Sequence, residues 1–311
     1  MGRTLAGGES TSLYQTFRGL DRALPSGDIR PDLRYILPMP LAYGFIEPTD
    51  LALPHVPPAL DGIRIAHVSD LHVRHHRRIY ERMINQLANV RLNMLVLTGD
   101  YMTSPGDEKA AIDVLARLTD RLHPAVSCFG VFGNHDSNDL REAVNDLPVV
   151  WLQDEVVAVE SLPIDVLGMN ASNRTSVDVV AVAQSLAGRF CSGTESGAAN
   201  ERRLRIALSH FPQFATIAAD LGADVIFSGH THGGQIRLPG GRALVNSCDL
   251  PKCLTSGVLR HQNMMLAISR GVGTRVLPLR LFCPPHVPLY TIHRAALMGR
   301  YTDDIDVLLP W

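Results

Sequence analysis

Three times in the first half of this chain, a short apolar run ends in a knot of polar residues and gives way to a segment of helical periodicity. Residues 63–69 lead into Asp70-Leu71-His72, residues 94–98 into Gly99-Asp100, and residues 126–132 into Gly133-Asn134-His135-Asp136. Apolar residues recur near a period of 3.6 over residues 78–90, and helices are expected again over 108–118 and 138–146. Strand, polar cluster, helix, repeated in this way, is the rhythm of βαβ units, so an α/β fold with a mostly parallel sheet is expected. Ligands bind such sheets beyond the carboxyl ends of the strands, where all three clusters fall.

The second half adds two further strand ends. Residues 204–208 lead into Ser209-His210, and residues 224–227 into Gly229-His230-Thr231-His232-Gly233-Gly234. If that segment is extended, residues two apart face the same way, so His230 and His232 would converge on one point. Flanking glycines let the backbone turn tightly and approach a ligand. Between the halves, residues 149–152, 156–159 and 164–168 read as a meander, and 175–188 as a helix. Short strands are expected in the tail at 243–246, 264–268 and 288–292.

The 311 residues are 46% hydrophobic with a formal net charge of -2. A large core is available, and no bulk charge draws the chain to nucleic acid. The five cysteines show no C-x-x-C spacing and read as thiols in a reducing compartment. No signal peptide is visible, and the apolar stretch 35–46 is short and broken by two prolines. A cytoplasmic protein is the expectation, with peripheral contact to an inner membrane left open and no obligate protein partner indicated. Three parts are expected: an N-terminal arm at 1–60, a domain at 61–295 and a tail at 296–311.

Taken together, the strand ends carry Asp70, His72, Asp100, Asn134, His135, His210, His230 and His232. Carboxylate and amide oxygens mixed with imidazoles suit Mn²⁺, Fe²⁺, Zn²⁺ or Co²⁺ better than Ca²⁺. Seven ligands from this set of eight exceed one tetrahedral ion and suit two ions sharing a carboxylate, an arrangement that clamps a displacement at phosphorus.

The ordered blocks Asp70-x-His72, Gly99-Asp100, Gly133-Asn134-His135-Asp136, His210 and Gly229-His230-Thr231-His232 resemble the calcineurin-like metallophosphoesterases. The resemblance spans about residues 61–295. It implies a four-layer αββα sandwich, two mixed sheets flanked by helices, and a metal-dependent phosphoester hydrolase. It implies that Asp70, His72 and His232 hold one divalent ion, that Asn134, His210 and His230 hold the other, and that Asp100 bridges them. The ions would be Mn, Fe, Zn or Mg, and a bridging hydroxide would be the nucleophile. His135 would act on the phosphate, Asp136 would orient His135, and Asn134 would also touch substrate.

Departures narrow the branch. Thr103 stands where purple acid phosphatases have tyrosine, and Gly99-Asp100-Tyr101-Met102-Thr103 does not match protein Ser/Thr phosphatases. The segments Gly233-Gly234-Gln235-Ile236 and Ser269-Arg270-Gly271-Val272-Gly273-Thr274, followed by Leu277-Pro278-Leu279-Arg280, resemble a bacterial branch that is often membrane-anchored. Some of its relatives cleave the pyrophosphate of UDP-2,3-diacylglucosamine. That lipid-linked substrate is one alternative, and a non-catalytic scaffold is another. Arg74 in the basic run 74–78, and Tyr101 beside the bridging carboxylate, are candidate substrate contacts. The apolar segment 277–290 is a candidate lip for an acyl chain. His67 reads as a core histidine.

Overall fold

A computed structural model describes residues 45–74, 78–122, 126–170, 202–239, 242–245, 255–261 and 263–294, and the backbone of 307–309. The helix expected over 175–188, the basic residues 75–77, and Cys191, Cys248 and Cys253 lie outside the described residues.

Two mixed sheets face each other. The first has six strands in the order β1 (Ile46–Leu53), β12 (Val287–Arg294), β2 (Ile63–Val68), β3 (Met94–Thr98), β4 (Ser127–Val131), β5 (Val150–Trp151). The second has seven: β13 (Val307–Leu309), β10 (Gly257–His261), β11 (Met264–Ile268), β9 (Val225–Ser228), β8 (Leu204–Ser209), β7 (Ile164–Met169), β6 (Glu155–Ala158). β2, β3 and β4 are parallel neighbours, and so are β7, β8 and β9.

Alternation of side chains assigns the layers. On β3, Met94 and Val96 enter the inter-sheet core, while Leu95 and Leu97 face outward onto a second core. There they meet α1 (Arg78–Ala88) through Met83 and Leu87, and α2 (Glu108–Arg121) through Leu115 and Leu118. α3 (Asn138–Ala143) adds Leu140 to the same layer. On β8, Ile206 and Leu208 face the first sheet, and Ala207 faces a third core shared with α4 (Ala215–Asp220). Strands buried on both faces read as continuous apolar runs, which is why the sequence shows them so plainly. The four-layer sandwich is as expected.

Two expectations change. β1 lies within the segment read as an arm, yet it pairs in parallel with β12 over eight residues, and Leu51, Leu53, Val56 and Leu60 join the inter-sheet core. A strand near residues 50–53 is expected from the sequence, but its start before Pro48 is not; the outermost position in the sheet tolerates a missing donor. In the tail, Ala243 makes only an isolated bridge to Arg237, whereas β10 was not anticipated. Among the described residues, no helix is long and apolar enough to cross a membrane.

Candidate metal centre

The carboxyl ends of β2, β3, β8 and β9 meet at one place between the sheets. Asp70, His72 and His232 form one buried group whose ligand atoms all lie within 4.8 Å of one another, and Asp100, His210 and His230 form a second. Asp100 joins the two. Its Oδ2 lies 3.3 Å from His72 Nε2 in the first group and 3.2 Å from His210 Nε2 in the second. His232 Nε2 lies 3.0 Å from His72 Nε2 and 3.4 Å from Asp70 Oδ1, and His230 Nδ1 lies 3.2 Å from His210 Nε2.

The backbone reaches this arrangement by a different route from the extended one expected. Eight non-glycine residues among those described have positive φ, and five of them are Asp70 (50°), His72 (45°), Asp100 (56°), His230 (70°) and His232 (51°). Each left-handed residue turns the chain sharply as it leaves a strand. Such conformations cost about 1–3 kcal/mol each and persist only where surrounding structure fixes them. Here glycines leave the room. A Cβ on Gly229 would sit 2.4 Å from Asp70 Oδ2, and one on Gly133 would sit 2.2 Å from Asp100 Oδ1.

Hydrogen bonds aim the ligands. His210 Nδ1 donates to the Thr98 carbonyl at 2.8 Å, which leaves the Nε2 lone pair facing the site. Ser69 Oγ donates to Asp70 Oδ2 at 2.6 Å, and the His230 amide donates to both Asp70 oxygens at 3.1 Å. The His135 amide donates to Asp100 Oδ1 at 2.9 Å. Arg280 ties the His232 loop to the 270–273 loop by donating to the carbonyls of His232, Arg270 and Gly273.

The electrostatics call for a cation. Burial raises the Asp70 carboxyl, and the Asp100 charge adds to this against the pull of His210. Burial opposes ionisation of Asp100 too, but His210 and His72 hold it well below the usual carboxylate range. Burial pushes His210 down, yet the Asp100 and Asp70 carboxylates carry it up to about 9. The pocket thus draws positive charge to the point where imidazole lone pairs and carboxylates converge. This donor set fits two divalent ions.

Around the ligands, the expected roles divide. Asn134 is exposed between Gly133 and His135, at the rim of the site. His135 is half-buried, with its ring 4.9 Å from that of His72, and its Nε2 has no protein partner. The ring is oriented by the Thr103 carbonyl, which accepts from Nδ1 at 2.8 Å, and not by Asp136 as expected. Asp136 accepts instead from the amides of Asp100 (2.9 Å), Tyr101 (2.8 Å) and Gly133 (2.7 Å). It shapes the loop that carries Asp100. Tyr101 is fully buried in the helix-facing core, with its hydroxyl donating to the Val131 carbonyl at 2.7 Å, so it packs the core and does not line the pocket. Arg74 is exposed two residues beyond His72. Arg270 is bound to Glu47 at 2.7 Å and serves the fold. His67 is fully buried, 2.7 Å from Thr98 Oγ1, and burial alone lowers it to about 3, as a neutral core histidine requires.

Sequence reasoning passed over Thr103 and Arg275. Thr103 acts through a backbone carbonyl, which no residue type announces. Arg275 follows Gly271-Val272-Gly273-Thr274 and stands close enough for its charge to lower the proton affinity of His135.

Residues 63–234 match the family model described as calcineurin-like phosphoesterase. The chain belongs to that family. It is a dinuclear metal-dependent phosphoester hydrolase, and the two buried groups accommodate the two ions. Among curated relatives, it is 27% identical over 248 residues to YkoQ of Bacillus subtilis, described as an uncharacterized metallophosphoesterase, covering 76% of this chain and 85% of that one. It is 28% identical over 203 residues to the phosphodiesterase YaeI of Escherichia coli, covering 63% and 69%. It is 25% identical over 223 residues to the UDP-2,3-diacylglucosamine pyrophosphatase LpxG of Chlamydia trachomatis, covering 58% and 66%.

Proposed function

We propose that this phosphoesterase holds one ion with Asp70, His72 and His232 and the other with His210, His230 and Asn134, and that Asp100 is shared by both. The observation that carries the reading is the Asp100 Oδ2 position, within 3.3 Å of an imidazole nitrogen from each group. Ions bound there supply an activated water and neutralise charge on the phosphoryl group. The protein's own part is to orient and to move a proton. His135 Nδ1 is committed to the Thr103 carbonyl, so Nε2 of the neutral ring is an acceptor. Burial keeps the ring neutral in the free site, despite Asp100, and Arg275 adds to this. A phosphate arriving opposite Nε2 brings negative charge, which raises the affinity of the ring for a proton. His135 then takes a proton from solvent on Nε2, hydrogen-bonds the phosphate, and delivers that proton to the leaving oxygen. Arg275, and Arg74 beyond His72, supply positive charge at the rim for the anionic substrate.

The preferred substrate class is a lipid-linked phosphoester or diphosphate. Two observations support it: the likeness to a relative named for a diacylated nucleotide sugar, and an apolar rim beside the pocket. The domain that does this work takes in residues 45–294 and the edge strand β13 (Val307–Leu309).

Asp100→Asn tests the centre. With Mn²⁺ supplied, turnover of an aryl phosphate should fall ~100-fold or more while the far-ultraviolet circular dichroism is kept. Wild-type rates in that variant would sink the shared-carboxylate reading. Release of UMP from UDP-2,3-diacylglucosamine tests the substrate class separately.

A further inference from the structure

Eight large apolar side chains are exposed among the described residues, and seven of them fall in just two segments, 238–245 and 276–281. Val276 is 81% exposed, and Leu277 and Leu279 are each about half exposed, at 51% and 52%. The two segments form one surface. The Leu281 amide donates to the Gln235 carbonyl at 3.1 Å, the Arg237 amide to the Leu281 carbonyl at 2.9 Å, and the Leu244 amide to the Ile236 carbonyl at 3.0 Å. The Gln235 side-chain amide donates to the carbonyls of Leu277 (2.8 Å) and Leu279 (2.9 Å). The backbone is thus fastened from within while the aliphatic side chains stand outward. The carbonyls of Leu277 and Leu279 and both backbone groups of Leu281 are thereby satisfied, which lowers the cost of taking this face out of water.

This surface is continuous with the metal pocket. Gln235 follows His232 by three residues, and its Oε1 accepts from the Arg275 amide at 2.9 Å. Residues 231–245 and 271–286 contain four arginines, Arg237, Arg242, Arg275 and Arg280, and no aspartate or glutamate. Arg237 and Arg280 turn inward onto backbone carbonyls, while Arg242 is exposed. Large aliphatic side chains set among positive charge, with no acid, are the composition that enters an anionic lipid interface. A second copy of the chain is a poor occupant. A two-fold contact would set this face against itself, bringing together Arg242 and Arg275 of both copies with no carboxylate from these loops to answer them.

We propose that this face docks on an anionic lipid bilayer, with Val276, Leu277 and Leu279 entering the headgroup–acyl boundary, so that the adjoining pocket receives phosphoesters carried by lipids. The lipid-borne substrate rests on the hydrolase reading above; the docking does not. The test is sedimentation of the full chain with vesicles of phosphatidylglycerol or of phosphatidylcholine, run beside hydrolysis of a soluble aryl phosphate. Wild-type protein should sediment with the phosphatidylglycerol vesicles, less with phosphatidylcholine, and less as salt rises. The double variant Val276→Asp/Leu277→Asp should lose ~10-fold or more in partitioning and keep the wild-type far-ultraviolet circular dichroism and Tm, which shows that it is folded. Val150→Asp, an exposed apolar position on β5 outside both segments, should sediment like wild type. Equal binding by the double variant, or no binding of wild type to either vesicle, overturns the proposal. So does light scattering that finds a wild-type dimer converted to monomer by the double variant, which would give the face to a second copy. Failure of aryl phosphate hydrolysis in wild type with vesicle binding intact would count against the hydrolase reading alone.

Discussion

A buried imidazole that carries a proton cannot ligate a metal, so His210 sets how the centre responds to pH. Burial alone would favour the neutral ring, but Asp100 and Asp70 lift it from an ordinary 6.5 to about 9. In the metal-free protein, the stabilising charge on this ring is therefore fully present below pH 6.5 and lost as pH rises through about 9. Metal competes with that proton. Affinity for divalent ions should rise ~10-fold per pH unit between pH 7 and 8, with one proton released per ion bound at this group, and should level off above pH 9. Calorimetric titration in buffers of different ionisation enthalpy reads both quantities, and pH-independent affinity between 7 and 9 would refute the assignment. Asp136 is the second residue-scale case. Burial, and after it the nearby Asp100, raise its carboxyl to about 6, yet both oxygens accept backbone amides of the 100–102 and Gly133 turns. Asp136→Asn places an amide NH₂ against one of those donors. Affinity for Mn²⁺ in chelator competition should drop ~10–100-fold, the range for partners that orient metal ligands. An unchanged affinity would show that the loop holds its shape without this carboxylate. The sequence displayed Asp136 beside His135 but not which groups it meets, because three of its contacts are to amides at 100, 101 and 133 that only folding brings near.

At the scale of elements, the sequence was legible wherever burial was two-sided. β2, β3, β4, β8 and β9 are mostly apolar and buried almost throughout, and the helices between them show their period, so both the strands and the polar residues at their ends could be located. It was much less legible at the sheet margins. β1 is interrupted by Pro48 and exposed on alternate residues, and β10 takes its place through antiparallel pairing with β11, a long-range choice that local pattern does not record. The strand-to-ligand turns were hidden for another reason. Their left-handed backbone occurs at Asp and His residues, while the neighbouring glycines provide space: Gly229 is not itself at positive φ, but an added Cβ would stand 1.9 Å from Ser69 Oγ. Space and conformation can therefore be separated by mutation. Gly229→Ala should cost about 1–3 kcal/mol through overpacking and should displace Asp70, so that metal content falls. Gly62→Ala meets nothing within 4 Å but forces φ +81° on an L residue, so it should cost about 1–2 kcal/mol and leave metal content at the wild-type level. Denaturant melts paired with elemental analysis distinguish the two, and equal metal loss in both would mean that general destabilisation, not contact with Asp70, empties the site.

For the whole molecule, the centre is also a joint. Asp70 and Asp100 come from the first sheet, His210, His230 and His232 from the second, and the inter-sheet core lies beneath them. The two carboxylates of the first sheet meet the three imidazoles of the second at one end of that core, and cations held by both tie one layer to the other. The ions should then stabilise the packing of one sheet on the other as well as serve catalysis. Free metal at ~1,000 times its dissociation constant adds about 4 kcal/mol to the folded state. For a domain of this size, that corresponds to a rise in Tm of roughly 8–16 °C. Exhaustive chelation should lower Tm by that order, and returning Mn²⁺ should restore it. Hydrogen exchange should locate the loss at the carboxyl ends of β2, β3, β8 and β9, and much less at β1, the outermost strand of the first sheet. A Tm unmoved by chelation, with metal shown to be gone, would mean that the sheets hold together without the ions and that the joint lies in the apolar core alone.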